Sequence, residues 1–183
     1  MTKTIILFIL AIAAQLLILA AVPAKQIHAL KTGKTIRLYT APVDPYSIMS
    51  GYYVTLGYEI SRPGRTQANW WNDANGPTWQ KWENGSDVYV VLEPDANGVH
   101  VAKSWHQQWP GDIGEKAVVI KGKTQHWQIE YGIESYYIPE DMRNTINHEL
   151  QRLRNKITVE IKLDDQGNAA LSKLIIDKKE YSY

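Results

Sequence analysis

Alternating apolar and polar positions run through most of the chain, and the clearest example lies between Ser50 and Ile60. Within SGYYVTLGYEI, the positions Val54, Leu56 and Tyr58 alternate with smaller or more polar residues. An extended strand places every second side chain on the same face, so these three residues share one side. Aromatic and aliphatic residues in this pattern favour a strand that enters the core of a β domain.

The same alternation predicts further strands along the rest of the chain. They are predicted over 35–40, 87–93, 99–105, 116–122, 125–129, 131–138, 157–163 and 169–176. Short runs rich in Asn, Asp and Gly separate several of these strands, and such runs favour hairpin turns. The hairpin turns are predicted at 94–98, at Gly122-Lys123 and at 164–168.

One helix is predicted after the strands of the first half, from Glu140 to Asn155. Its apolar residues form a single stripe at helical spacing, consisting of Met142, Ile146, Leu150 and Leu153. The stripe predicts that the helix covers an open face or end of a sheet. The fold class predicted is therefore mainly β: a single antiparallel β domain, sandwich-like or barrel-like, with one α-helix packed on it near residues 140–155.

An uncharged apolar run from Ile5 to Val22 precedes the β domain. A helix crosses a bilayer with about 20 apolar residues, so the length of this run suits a transmembrane anchor. The alternative is a cleaved signal peptide, whose apolar region is usually shorter, about 7–15 residues. The predicted organisation is an anchor or signal peptide over 1–25, a basic linker over 26–34 and the β domain over 35–183.

Two blocks of the sequence carry a family motif. Its residues are Gly51, Tyr53, Leu56 and Tyr58 in the first block, and Gly132, Glu134, Tyr136, Pro139 and Glu140 in the second. With these residues the chain resembles the GDYXXLXY-motif family of bacterial membrane-anchored proteins. Tyr52 stands where the family usually has Asp, so no role of that acid carries over. The family has no assigned catalytic residues, and the resemblance therefore implies a membrane-anchored β domain more than an activity.

The side of the membrane follows from two opposing signals. Lysines and arginines are more numerous after the apolar run than before it, which alone would keep the domain in the cytoplasm. The signal-like start and the family resemblance favour the opposite side. We expect a single-pass membrane protein whose folded domain lies on the periplasmic or lumenal side.

Composition removes several classes of function. The chain has 183 residues, a formal net charge of +1 and no cysteine. Nucleic-acid binding needs a concentrated basic surface, and disulfides, thiolate nucleophiles and cysteine-ligated zinc need cysteine. We therefore expect no nucleic-acid partner, and the histidines lack the spacing of a metal site, so neither a metal nor another cofactor is predicted.

Tryptophan is unusually frequent, with seven residues against a single phenylalanine. The tryptophans predicted to bind a partner are Trp70, Trp71, Trp79, Trp82, Trp105 and Trp109. The first four lie in a segment rich in Asn, Gly and Pro, which is typical of a surface loop. They are interpreted either as a cluster folded back over the core or as an exposed platform for a sugar, a lipid headgroup or a partner protein.

Carboxylates provide the strongest candidate catalytic groups, ahead of a serine–lysine pair that would use Ser47 or Ser50. Glu59, Glu134 and Glu140 lie in or beside the motif blocks, and paired carboxylates hydrolyse glycosides when about 5–10 Å apart. The competing interpretation places Glu59 and Glu134 on the solvated face of a strand and Glu140 at a helix start. No catalytic residue is therefore assigned. The predicted function is a membrane-anchored, non-enzymatic interaction or assembly module that binds a membrane-protein partner through the tryptophan-rich loop; the alternative is an envelope carbohydrate-active enzyme or glycan-binding protein.

Overall fold

Strands make up most of the folded part of the protein. The computed structural model describes residues 2–21, 23–41, 53–62, 82–126, 128–137, 157–176 and 179–182. The helices are α1 (Thr2–Ala21) and α2 (Ala24–Thr32), and a short 3₁₀ turn spans Glu59–Ser61. The strands are β1 (Lys34–Ala41), β2 (Tyr53–Thr55), β3 (Gly57–Tyr58), β4 (Asp87–Pro94), β5 (His100–His106), β6 (Val118–Gln125), β7 (Gln128–Glu130), β8 (Ser135–Tyr137), β9 (Ile157–Leu163), β10 (Ala169–Ile176) and β11 (Lys179–Ser182).

Nine of these strands form one sheet that curls into a half-barrel. Its order is β11-β10-β9-β1-β5-β4-β6-β7, and β3 pairs with β1 beside that path. The pairs are antiparallel except for one parallel contact between β1 and β5, where Leu38 is aligned with His100. The prediction of a mainly β domain is confirmed.

The curl brings the turn between β9 and β10 back to β6. The backbone N–H of Lys121 donates to the carbonyl of Gly167 at 2.8 Å, although β1, β5 and β4 lie between β9 and β6 in the sheet. Asp164 shapes this turn, because its carboxylate accepts from the backbone N–H groups of Gln166 and Asn168 at 3.0 and 2.8 Å. This short side chain thus fixes the turn that closes one end of the half-barrel.

The core lies on the concave side of the sheet and follows the alternation of the sequence. β9 shows it most simply, since every second residue from Ile157 to Leu163 is buried and the intervening ones are half-exposed. The largest fully buried side chains are Tyr58, Leu38, Leu92, Ile120, Ile129, Ile161, Leu174 and Ile176. A period of two is expected for strands with one wet face.

β2 and β8 form a separate two-stranded sheet that joins the two motif blocks. Tyr53 is aligned with Tyr137, and Thr55 with Ser135. The first block therefore pairs directly with the second, across about eighty positions of intervening sequence. Pairing of the two blocks was not predicted from the alternation, because alternation specifies the face of a strand and leaves its partner open.

Several predicted elements are confirmed and others are wrong. The strand at 35–40 and the hairpins at 87–105 and 157–176 are present. The turn predicted at Gly122-Lys123 is wrong, because β6 continues to Gln125, which is aligned with Gln128 of β7. Gly122 is a strand residue that lets Ile129 and Tyr131 approach closely. A strand over the whole of 131–138 is also wrong, since strand geometry begins only at Ser135.

The region predicted as a linker over 26–34 is mostly helix. α2 packs on β9 and β10, and Ala29 is completely buried there. Gly33 follows directly, and its missing side chain permits close contact with the backbone of Ala29 and Leu163. The sequence does not predict this helix, because the segment is basic and buries only Ala29, so it shows no apolar stripe. The helix predicted at 140–155 lies outside the described residues.

α1 differs from every other element in its surroundings. Its large apolar side chains are exposed, with fractions between 40% for Ile12 and 72% for Leu17. No single helix among the described residues meets the length and hydropathy of a membrane span. Ile5–Leu19 and Ala24–Thr32 meet them together as a pair bent by 42°.

Candidate functional site

A polar cleft of about 340 Å³ lies where the sheet closes on itself. Residues from five parts of the chain line it: Lys25 at the start of α2, Tyr89 on β4, Lys121 on β6, Trp109 in the segment between β5 and β6, and Asp165, Gln166 and Asn168 in the β9–β10 turn. The turn reaches β6 through the Gly167 to Lys121 hydrogen bond, so the same closure that completes the fold forms the cleft.

Aromatic rings form one wall of the cleft. The rings of Tyr89 and Trp109 meet edge to face, with centroids 5.6 Å apart and planes at 72°. Trp109 remains 47% exposed, so much of its indole is open to solvent. Tyr89 is aligned with Lys121 across the β4–β6 pair, and the ammonium of Lys121 lies 5.4 Å from the centre of the tyrosine ring. That distance is within the range of a cation–π contact.

Of the two lysines that line the cleft, Lys121 on β6 has a carboxylate partner, whereas Lys25 on α2 has none among the described residues. Lys121 Nζ lies 2.8 Å from a carboxylate oxygen of Asp87, and Lys123 Nζ lies 3.1 Å from the other. These two lysines hold the pKa of Asp87 below its ordinary range. Within the described part of the chain, neither Lys25 nor Asp165 has an ion-pair partner. The cleft therefore offers one uncompensated cation and one uncompensated carboxylate beside an exposed indole.

The two motif blocks form a second, buried cluster. The Tyr58 hydroxyl donates to the carbonyl of Ile133 at 2.5 Å, and the Tyr131 hydroxyl donates to the carbonyl of Ile60 at 2.8 Å. Burial raises the pKa of both phenols well above the ordinary range, and the carboxylate of Glu134 acts in the same direction. Both tyrosines stay protonated, which is the state that donates these hydrogen bonds.

A sequence model of the GDYXXLXY protein family matches residues 15–174. The chain belongs to this family. None of the curated proteins and none of the solved structures matches it significantly.

The family motif residues that the structure describes hold the fold together. Leu56 is buried and its N–H donates to the carbonyl of Glu134 at 2.7 Å. Gly132 adopts a left-handed conformation with φ of 77°, which a glycine tolerates without strain. The Tyr136 hydroxyl donates to the carbonyl of Tyr181 at 2.8 Å and thereby ties β8 to β11. The motif residues Gly51, Pro139 and Glu140 lie outside the described residues.

Glu134 is placed as a loop-stabilising group. Its Oε1 atom accepts from the backbone N–H of Tyr131 at 2.6 Å, inside the turn that carries Gly132. Burial raises the pKa of Glu134 above its ordinary range, and the amide groups of the same turn oppose part of that shift. A carboxylate that already accepts from a backbone amide has less freedom to act on a substrate.

Glu59, the other candidate carboxylate, begins the 3₁₀ turn beside the first motif block. The residue is exposed, yet partial burial of its carboxyl group raises the pKa. It acts electrostatically on Tyr39, whereas Glu134 acts on Tyr58 and Tyr131. The two carboxylates thus belong to different surroundings, and the described contacts do not join them as a catalytic pair.

The predicted binding tryptophans fall into three groups. Trp82 and Trp105 are half-buried and pack against the core. Trp109 lies in the cleft. Trp70, Trp71 and Trp79 lie outside the described residues. Sequence reasoning identified Trp109 as a candidate but missed Lys25, Tyr89, Lys121 and Asp165, since nothing in their spacing signals that the curled sheet brings them together.

One side-chain contact has the form of a nucleophile and a base. The Ser104 hydroxyl oxygen lies 2.8 Å from Nε2 of His106, two residues along β5. A catalytic histidine also needs a third group that orients it. The described residues supply His106 with no carboxylate, and they contain no group of three or more His, Asp or Glu side chains suited to a metal.

Proposed function

We propose that this member of the GDYXXLXY family is a membrane-tethered, non-enzymatic interaction module that binds a membrane-protein partner. The observation that carries this proposal is the exposure of α1. Eleven of its large apolar side chains are at least 40% exposed to solvent. An exposed apolar surface of this extent calls for a hydrophobic environment, and a bilayer supplies it around the whole helix.

The way α2 is held supports a tether of defined geometry. α2 follows α1 directly, packs on β9 and β10, and buries Ala29. Its Gln26 side chain donates to the carbonyl of Gly132 in the second motif block at 3.2 Å. The link from the anchor to the β domain is therefore a packed helix. Holding a binding surface near the membrane in this way raises its effective concentration toward a membrane-bound partner.

The tryptophan-rich loop from Trp70 to Trp82, with neighbouring Trp105 and Trp109, is the surface proposed to contact the partner. The residues on both sides of the loop are fastened to the hairpin of β6 and β7. Arg62 donates to the side chain of Gln128 at 3.3 Å, and the Thr124 hydroxyl donates to the carbonyl of Glu83 at 2.7 Å. These contacts fix the two positions at which the loop joins the β domain.

The test is crosslinking in native membranes with the full, tagged chain. The proposal predicts that one membrane complex co-purifies in stoichiometric amount, as measured by quantitative mass spectrometry. Changing Trp70 and Trp71 together to Ala is expected to reduce its recovery by about tenfold or more, because tryptophans dominate many interfaces. Changing both to Phe keeps aromatic area and serves as the matched control.

Thermal stability of each variant separates binding from folding. Loss of the complex with an unchanged melting temperature supports the proposal. Unchanged recovery of the complex in the Ala variant contradicts the assigned surface. A large fall in melting temperature would instead place the two indoles in the core.

The alternative of a carbohydrate-active enzyme or glycan-binding protein stays a prediction. It would use Glu59 or Glu134 with the tryptophans. The backbone contact of the Glu134 carboxylate supports the interaction module over the enzyme.

A further inference from the structure

The cleft lies close in sequence and space to the end of the proposed anchor. Lys25 lines it, and α1 ends only four residues earlier, at Ala21. Four residues span at most about 14 Å, so Lys25 lies near the end of α1. If α1 occupies the bilayer, as proposed above, the cleft lies at the level of the lipid headgroups.

The neighbouring surface has the composition of a membrane interface. Ile27 and Leu30 on α2 are 46% and 44% exposed, although the helix packs against the sheet through Ala29. Trp109 is 47% exposed and lines the cleft together with Lys25. Tryptophan and lysine concentrate at the boundary between lipid and water, where one end of the side chain is apolar and the other polar.

The charges in the cleft are complementary to a ligand that carries both signs. The ammonium of Lys121 is compensated by Asp87, which leaves Lys25 and Asp165 as the charged cleft residues without an ion-pair partner in the described part of the chain. A simple anion would satisfy Lys25 and be repelled by Asp165. A neutral sugar would leave both charges without an opposite partner. A group with a phosphate at one end and an ammonium at the other satisfies both.

The indole of Trp109 suits the cationic end of such a ligand. Ammonium groups bind over tryptophan faces, and the half-exposed indole of Trp109 lines the cleft together with Tyr89. The amide side chains of Gln166 and Asn168 add hydrogen-bonding groups to the same wall. A volume of about 340 Å³ is at the lower end of ligand pockets, which suits a headgroup without its acyl chains.

We propose that this cleft binds the headgroup of an amine-bearing phospholipid, with the phosphate at Lys25 and the ammonium between Asp165 and Trp109. This inference rests on the proposed membrane tether and adds a ligand to it. Binding the headgroup would fix the height and orientation of the β domain above the lipid surface.

The test uses the full chain in nanodiscs that contain phosphatidylcholine, phosphatidylethanolamine and phosphatidylglycerol in equal amounts. Native mass spectrometry of the released protein counts retained lipids by mass. We expect one phosphatidylethanolamine to be retained preferentially. Lys25→Ala, Asp165→Asn and Trp109→Ala are each expected to reduce its retention at least fivefold. Lys103→Ala removes a lysine paired with Glu93 and is the matched control.

The outcomes of this experiment distinguish a lipid headgroup from a soluble ester, and they separate the headgroup site from the proposed membrane tether. Retention of phosphatidylglycerol in place of phosphatidylethanolamine, or equal retention by the wild type and all three cleft variants, overturns the inference. Competition by soluble phosphoethanolamine at millimolar concentration alone, without retained lipid, assigns the cleft to a soluble ester and also overturns it. Carbonate extraction tests the tether separately: a chain that stays in the membrane without retaining the lipid refutes only the headgroup site.

Discussion

Tyr58 and Tyr131 tie the same two segments together in opposite directions. The hydroxyl of Tyr58 reaches from the first motif block to the carbonyl of Ile133, and the hydroxyl of Tyr131 reaches back to the carbonyl of Ile60. Both rings are buried, so neither carbonyl acceptor has ready access to water in exchange. One tyrosine from each block thus holds the two blocks together.

Replacing either tyrosine with Phe tests these two hydrogen bonds. Tyr58→Phe and Tyr131→Phe are each expected to lower the free energy of unfolding by about 1–3 kcal/mol, because a buried carbonyl loses its partner. Chemical denaturation of the full chain in detergent measures the change. Tyr39→Phe is the control, since its hydroxyl donates to Asp95 at the accessible β4–β5 turn, at 2.9 Å.

The double variant adds a sharper measurement. Because both bonds join the same 3₁₀ turn to the same loop, the combined loss is expected to differ from the sum of the single losses by about 0.5 kcal/mol or more. Strict additivity of the two free-energy losses would mean that the two hydrogen bonds act independently, which would contradict the prediction that they are coupled.

The raised pKa of Glu134 predicts that the free energy of unfolding depends on pH. Burial raises its folded-state pKa above the ordinary value of 4.5, so the folded state binds its proton more tightly than the unfolded state. The contribution of this group is therefore fully present below that ordinary value and is lost as pH rises through the raised pKa. Glu134→Gln removes the titration but keeps an oxygen that accepts from Tyr131.

We therefore expect the free energy of unfolding of Glu134→Gln, relative to the wild type, to increase as pH rises through this window. Glu134→Ala also removes the acceptor and is expected to cost about 1–3 kcal/mol. Denaturant titrations between pH 4 and pH 8 provide the measurement, and the exposed Glu115→Gln is the control for loss of one carboxylate. A difference between wild type and Glu134→Gln that stays constant with pH would contradict the prediction.

Hydropathy patterning predicted local structure well in this chain and failed where distant segments meet. The strands β1, β4, β5, β9 and β10 were all predicted from alternation. β9 shows it most fully, since every second residue is buried, whereas no residue of β5 is fully buried. The residues 131–134 carry similar apolar residues but form a loop, because Gly132 is left-handed and Glu134 bonds to the backbone of Tyr131. Neither feature has a period that the sequence displays.

The cleft could be predicted only in part for the same reason. Trp109 was a candidate because tryptophan is informative by composition. Lys25 and Asp165 are ordinary surface residues by every local criterion, and they line one cleft because α2 packs on β9 and β10 and the β9–β10 turn crosses back to β6. That closure depends on the coil of the whole sheet, which no short stretch encodes.

Gly122 provides the most direct test of how tightly the second motif block packs on β6. A Cβ atom at this position would lie 2.6 Å from Cγ2 of Ile129 and 2.9 Å from Cδ1 of Tyr131. Both neighbours are buried, so they have little room to move. Gly122→Ala is therefore expected to destabilise the domain by about 1–3 kcal/mol, the usual cost of overpacking a core.

Thermal and denaturant unfolding of the full chain measure this cost. The matched control is Gly111→Ala, because a Cβ atom at Gly111 meets nothing within 4 Å. Its effect is expected to stay within about 0.5 kcal/mol, as for other surface substitutions. Equal stability of the two variants would mean that β6 and the segment around Tyr131 separate easily, and would contradict the close packing. A loss of stability for Gly122→Ala alone would also explain why a glycine occupies this position within β6, where the sequence predicts a turn.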